Sequence, residues 1–176
     1  MPDRIIRTSG KTGITAESLI CAALVGELLS PSPELWLVSP WISDVAGVDN
    51  TRGEFDALFL DPVARIYTLA DVLAQLSYAG SRITVVTRPD DHNRTFASRL
   101  KQQSDMARCT LIFDKNVHEK TMCGGAWLVS GSMNFTVRGM MLNDEAVTYR
   151  TDAAAAATTR MDFNHRWGIG TDDTHL

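Results

Sequence analysis

The chain has 176 residues, 44% hydrophobic and 22% charged, close to the averages of soluble globular proteins, which excludes disordered and fibrous classes. A length of this order buries enough surface on folding to need no disulfide or structural metal, so one domain over 1–176 is expected. The net charge of -4 is not that of a protein whose affinity for nucleic acid rests on bulk neutralisation of phosphates.

The charge is uneven: residues 1–87 hold 6 basic and 10 acidic side chains, whereas 88–120 hold 7 basic against 5 acidic. A solvated surface explains that local excess about as well as a binding face does. The three cysteines, Cys21, Cys109 and Cys123, are odd in number and widely spaced, which suits buried reduced thiols of a cytoplasmic protein rather than a disulfide framework or a zinc site. The polar stretch 1–13 contains no apolar run of the secretory type. The most apolar stretch, Ile14 to Leu29, carries Glu17 and Glu27 and is shorter than the roughly 20 residues of a membrane span, so it reads as a packed helix and no membrane partner is expected.

In chain order, Thr15 is placed to cap a helix over 15–29, with Leu19, Ile20, Ala23, Leu24 and Leu28 at helical spacing. Ser30, Pro31 and Pro33 stop it, and the apolar run Leu35 to Val38 is a buried strand feeding the loop Ser39-Pro40-Trp41. Residues 44–61 show no clean period and are expected as loop with at most one helical turn. Leu69, Val72, Leu73 and Leu76 mark a helix over 69–78 stopped near Gly80, Ile83 to Thr87 a strand, 95–103 a helix, and Thr110 to Phe113 a third strand. Such alternation predicts an α/β fold: a mixed, largely parallel sheet with helices on both faces. Ligands of such sheets gather at the carboxyl ends of strands, so Ser39 to Trp41, Arg88 to Asn93 and the residues after 117 should share one rim. A last helix is expected near Ala153 to Trp167, after the low-complexity run Ala153 to Ala157, with Met161, Phe163 and Trp167 as core or dimer contacts.

The segment between carries the chemistry. Gly124-Gly125 between apolar runs suits a two-residue primed turn, a register that sets His118 opposite Gly131. On a strand His118 and Lys120 share a face, Ser132 and Asn134 begin where the next strand ends, and Asn143 and Glu145 head the strand Ala146 to Tyr149. These groups suit phosphoryl transfer without a metal or other cofactor. His118 can attack phosphorus and form a covalent intermediate. Lys120, Asn134 and Ser132 can donate to the non-bridging oxygens, and Glu145 can accept from the far ring nitrogen of His118. Arg88 and Asn93, after a rim strand, are candidates for substrate contact, as is Asn143, although a solvated loop or a turn cap accounts for each as simply. Trp41 either packs or stacks on a base, packing being the simpler reading; His92, His165 and His175 match no motif. A second histidine is needed as acid for the leaving oxygen.

His118-x-Lys120, Gly131-Ser132-x-Asn134 and Asn143-x-Glu145 together resemble the signature of the phospholipase D superfamily, and the likeness extends over about 35–170 including the run Leu-Val-Ser-Pro-Trp. The resemblance implies a phosphohistidine mechanism in which two such motifs meet. With one motif, the chain resembles the single-motif nuclease branch, which completes its site across a homodimer, and more narrowly the DpdK-type proteins of bacterial DNA-modification and restriction clusters. That implies nucleic acid, DNA first, as substrate, and proteins of a defence cluster as further partners. Where the family often has an aspartate five residues after the lysine, this chain has Gly125. The alternatives are a non-catalytic phosphate-binding subunit of a larger defence assembly and a phospholipid-active phosphatidyltransferase, the latter calling for an apolar membrane-binding surface that the sequence does not display.

Overall fold

Strand β2, Glu34–Val38, sets the layers, because successive side chains of a strand point to opposite faces. The computed structural model describes residues 4–9, 11 and 13–168. Leu35 and Leu37 enter one apolar cluster, Trp36 and Val38 another, so β2 lies in the middle layer. Helices α1, Glu17–Leu29, α2, Leu69–Tyr78, and α3, Arg94–Gln103, supply Ile20, Leu24, Leu73, Leu76, Phe96 and Leu100 to the first cluster. Helix α4, Ala153–Trp167, supplies Ala156 and Phe163 to the second. Phe163 packs at 5.6 Å from Trp36; burying a ring of that size contributes about 2–3 kcal/mol.

The remaining strands are β1 (Arg4–Thr8), β3 (Ala46–Asp49), β4 (Ile66–Thr68), β5 (Arg82–Thr87), β6 (Cys109–Phe113), β7 (Thr121–Cys123), β8 (Leu128–Gly131) and β9 (Glu145–Arg150). Seven form one sheet in the order β1-β9-β8-β7-β2-β5-β6, and β3 pairs with β4 apart from it. The sheet is mixed with helices on both faces, as expected, but its parallel share is smaller than expected. Only β2-β5 and β5-β6 are parallel; the pairs β2-β7, β7-β8, β8-β9 and β9-β1 are antiparallel. The cause is the connections. Parallel neighbours need a crossover helix, which α2 and α3 provide, whereas 132–144, between β8 and β9, holds only a five-residue π-helical turn, Arg138–Leu142.

Helix α2 spans the residues expected, and its first turn adds a capping box: Asp71 N–H donates to Thr68 Oγ1 and Thr68 N–H to the Asp71 carboxylate at 2.9 Å. Gly80, with φ of +104°, ends it in the left-handed conformation that glycine tolerates. Thr15 does not cap α1. The cap residue is Ala16, without a side-chain bond, and its N–H donates to Met140 O at 2.9 Å; a tertiary contact replaces the local one. Three strands escape sequence reading. β1 is an outer strand with Ile5 67% exposed, so its period is silent. In β3, Gly47 reads as a loop residue but is demanded by packing, since a Cβ there would lie 3.1 Å from Tyr67 O and Thr68 O of β4; β4 itself is three residues long, too short to show a period. Among the described residues no helix is long and apolar enough to cross a membrane.

Candidate active site

The hairpin β7-β8 presents the motif, but two residues out of the expected register. Thr121 faces Ser130 and Cys123 faces Leu128, and Gly131 N–H donates to Lys120 O at 3.3 Å, so Gly131 sits opposite Lys120 rather than His118. A shift of two keeps every side chain on its face. The turn centres on Gly125-Ala126, closed by Gly124 N–H to Trp127 O at 3.0 Å, and neither Gly124 nor Gly125 has positive φ. Packing selects these glycines. A Cβ on Gly124 would stand 2.4 Å from the Trp127 indole nitrogen and 2.5 Å from Glu27 Oε1, and one on Gly125 would stand 3.0 Å from Ser32 Oγ.

This turn answers for the absent aspartate. The buried carboxylate of Glu27, on α1, accepts from the Trp127 indole at 2.5 Å, from Ser32 N–H at 3.0 Å and from the Ser32 hydroxyl at 2.6 Å. Ser32 Oγ in turn accepts from Gly125 N–H at 2.6 Å. A carboxylate therefore ties down the end of the hairpin remote from His118, reaching it from another element.

At the other end, Gly131 leads the chain against β9 so closely that a Cβ would lie 2.1 Å from Ala146 O; only glycine fits before the serine. Ser132 N–H then donates to Ala146 O at 3.1 Å, and Ser132 Oγ accepts from Ala146 N–H at 3.1 Å while donating to Glu145 Oε2. Asn143 Nδ2 donates to Glu145 Oε1 at 3.3 Å. Glu145 thus binds Ser132 and Asn143, and not the His118 ring as expected from sequence: β9 carries its carboxylate beside the β8-β9 loop. Thr8 of β1 closes the corner, donating to Asn143 O at 3.2 Å and accepting from Glu145 N–H at 3.2 Å.

The exposed His118 ring faces Arg88 instead. Arg88 Nη2 lies 2.9 Å from His118 Nε2 and 3.2 Å from Nδ1, Arg88 Nε donates to Val117 O at 2.9 Å, and the guanidinium lies 5.1 Å from the Trp41 ring centre. A guanidinium can only donate, and Arg88 stands within reach of both ring nitrogens, so it sets a cation against the ring without selecting one nitrogen. Lys120 Nζ donates to His118 O at 2.7 Å. Ser39 Oγ donates its one proton to Trp41 O at 2.9 Å and lies 3.4 Å from the Asn134 amide oxygen, which sets Asn134 beside the Ser39 to Trp41 segment.

The three rim segments expected from sequence do meet. Asn93, a candidate for substrate contact or a solvated loop residue from sequence, is instead fully buried and clamps the first two segments together: its Oδ1 accepts from Ile42 N–H at 2.8 Å, and its Nδ2 donates to Pro40 O and to Arg88 O, each at 2.9 Å. Sequence reasoning placed Ser39 to Trp41 on this rim but did not foresee Ser39 beside Asn134 or the Trp41 ring beside Arg88. His92 bonds Ser43 Oγ at 3.0 Å, His165 is exposed, and His175 lies outside the described residues. Of the α4 residues, Phe163 is core, Trp167 donates to Asp114 at 2.9 Å, and Met161 is 73% exposed. Among the described residues no group of three or more His, Cys, Asp or Glu side chains converges as a metal would require.

Residues 59–167 match the family described as the PLD-like domain of cardiolipin synthase. No curated protein sequence matches. Among solved structures, the fold is similar to Nuc, a phospholipase D family member from Salmonella typhimurium, with a TM-score of 0.60 at 16% identity over 96% of this chain and 97% of that one. It is similar to NucT from Helicobacter pylori, with a TM-score of 0.61 at 9% identity over 93% and 94%. It is similar also to TrmBL2, an archaeal chromatin protein that binds DNA, with a TM-score of 0.55 at 14% identity over 95% of this chain and 52% of that one. With the family match extending over more than half of the sequence, the chain belongs to the phospholipase D-like family.

Proposed function

We propose that the chain is a metal-independent phosphodiesterase of the nuclease type, acting on DNA through a phosphohistidine at His118, at a site completed by a second copy. The observation that carries this reading is the placement of Arg88 Nη2 2.9 Å from His118 Nε2, a cation set at the imidazole where an incoming phosphoryl group would bring its negative charge. His118 attacks phosphorus; the P–N bond forms as the P–O bond to the leaving group breaks, and the partner's His118 gives that oxygen its proton. Water then attacks the phosphohistidine, yielding its proton to the partner's His118, and the P–N bond breaks. Lys120, Arg88 and the amide of Asn134 donate to the non-bridging oxygens as charge builds there. Glu145 positions Ser132 and Asn143 at the edge of this pocket. The exposure of His118 suits a half-site that a second copy covers.

DNA as substrate is supported by the fold shared with TrmBL2, which binds DNA; a place among bacterial modification and restriction proteins rests on the sequence resemblance. The test is cleavage of single- and double-stranded DNA, RNA and a chromogenic phosphodiester in excess chelator. Cleavage should persist in chelator and fall by roughly 10⁴-fold or more in His118→Ala, with an acid-labile phosphoryl adduct on His118 in single turnover. Cleavage abolished by chelator refutes the metal-free route, and full activity of His118→Ala refutes the nucleophile. The description of the matching family favours a second reading, phosphatidyl transfer. Turnover of phospholipid vesicles with no action on DNA or RNA would select it.

A further inference from the structure

Among the described residues, β6 is the outer strand of the large sheet and pairs only with β5. The phase of that ladder is set by its end bonds, Ile83 N–H to Arg108 O at 2.7 Å and Asp114 N–H to Thr87 O at 2.9 Å. In a parallel ladder alternate residues face the neighbour, so Thr110 and Ile112 turn their N–H and C=O groups to β5, while Cys109, Leu111 and Phe113 turn theirs outward. Natural sheets protect such an edge with charge, proline or a bulge. The opposite edge obeys: β1 carries Arg4 and Arg7 in five residues. β6, Cys-Thr-Leu-Ile-Phe, carries no charge, no proline and no bulge, and beside it Phe113 is 53% and Met106 50% exposed.

We infer that β6 pairs antiparallel with β6 of a second copy about a two-fold axis at Leu111, joining the two sheets into one. Three independent features of the edge select this occupant. Self-pairing centred on Leu111 brings residues summing to 222 into register, so the outward-facing Leu111 meets the partner's Leu111 and Cys109 meets the partner's Phe113. Every outward N–H and C=O of β6 thereby gains a partner within the second β6, whereas a two-fold at Thr110 sets Phe113, and one at Ile112 sets Cys109, opposite a residue beyond the strand. The same register sets Arg108, at one end, opposite the partner's Asp114, at the other, twice over; the strand ends are charge-complementary to themselves. A groove of about 290 Å³ lined by Leu100, Met106, Cys109 and Leu111 lies on the face where the partner's Phe113 ring arrives, opposite Cys109. This contact is independent of the proposed catalytic pairing: in the sheet, β2 and β5 separate β6 from β7.

Sedimentation of the full chain tests it. Proline at 111 removes an outward N–H and no bond to β5, a position where an edge strand accepts it, so Leu111→Pro should halve the particle mass and leave phosphodiester turnover per chain unchanged. Leu111→Cys should oxidise to a reducible covalent dimer, whereas Thr110→Cys, which faces the partner's Ile112, should not. Equal masses for wild type and a folded Leu111→Pro overturn the inference, as does failure of Leu111→Cys to crosslink; the latter decides alone where the proline variant does not fold. Loss of turnover in His118→Ala with the mass unchanged tests the catalytic reading separately.

Discussion

Replacing Asn93 by alanine isolates the device that assembles the rim. Its amide makes three bonds, to Ile42 N–H, Pro40 O and Arg88 O, at 2.8, 2.9 and 2.9 Å, and the side chain is fully buried. Each net bond is worth about 1 kcal/mol, and a buried group left without a partner costs about 1–3 kcal/mol more; some of the three will find water. The expected loss is therefore about 4 kcal/mol, or a drop of about 2 M in the urea midpoint at a slope of about 2 kcal/mol/M. Because the same bonds hold the segments bearing Trp41 and Arg88, turnover in the folded variant should fall further than in Arg88→Ala alone. Equilibrium unfolding followed by tryptophan fluorescence, with turnover measured far below the midpoint, gives both quantities. A loss under 1 kcal/mol with turnover intact would refute the clamp.

Gly131→Ala should lose about 2–4 kcal/mol and most of the turnover, because its Cβ cannot share space with Ala146 O at 2.1 Å; thermal melting and the phosphodiester assay check both. Burial pushes the Asp71 carboxyl up, but the Thr68 N–H, Arg65 and Arg99 outweigh it and hold it below the ordinary range. A depressed carboxyl stabilises above its unfolded value of about 3.9 and loses that contribution as pH falls through the folded value. Asp71→Asn should therefore be less stable by about 1–2 kcal/mol at pH 7, the gap closing in acid; a gap that does not narrow as the pH is lowered refutes the assignment. Burial pushes the Cys123 thiol up to about 11, so its stabilising effect is present below the ordinary thiol range and fades as pH rises toward 11. At pH 8 Cys123 should resist iodoacetamide in the folded chain and react once urea unfolds it, as read by mass spectrometry.

Much of this molecule is legible in its sequence because local physics carries it. The period of α2, the apolar runs of β2, β5 and β6, and the spacing of His118, Lys120, Ser132, Asn134, Asn143 and Glu145 each depend on a few neighbouring residues. They set the α/β class and single out the candidate site. The tertiary structure decided what depends on residues distant along the chain. It made the share of the sheet from β7 to β1 antiparallel, placed Gly131 opposite Lys120, and formed β1, whose single neighbour leaves its period unreadable. It gave Glu145 to Ser132 and Asn143, gave the His118 ring to Arg88 from the loop after β5, thirty residues earlier, and brought Glu27 from α1 to the turn where the family's aspartate is missing. A side chain's chemistry is written in its type, but its partner is fixed only when packing brings distant backbone together, and a hydrogen bond ends beyond about 3.5 Å.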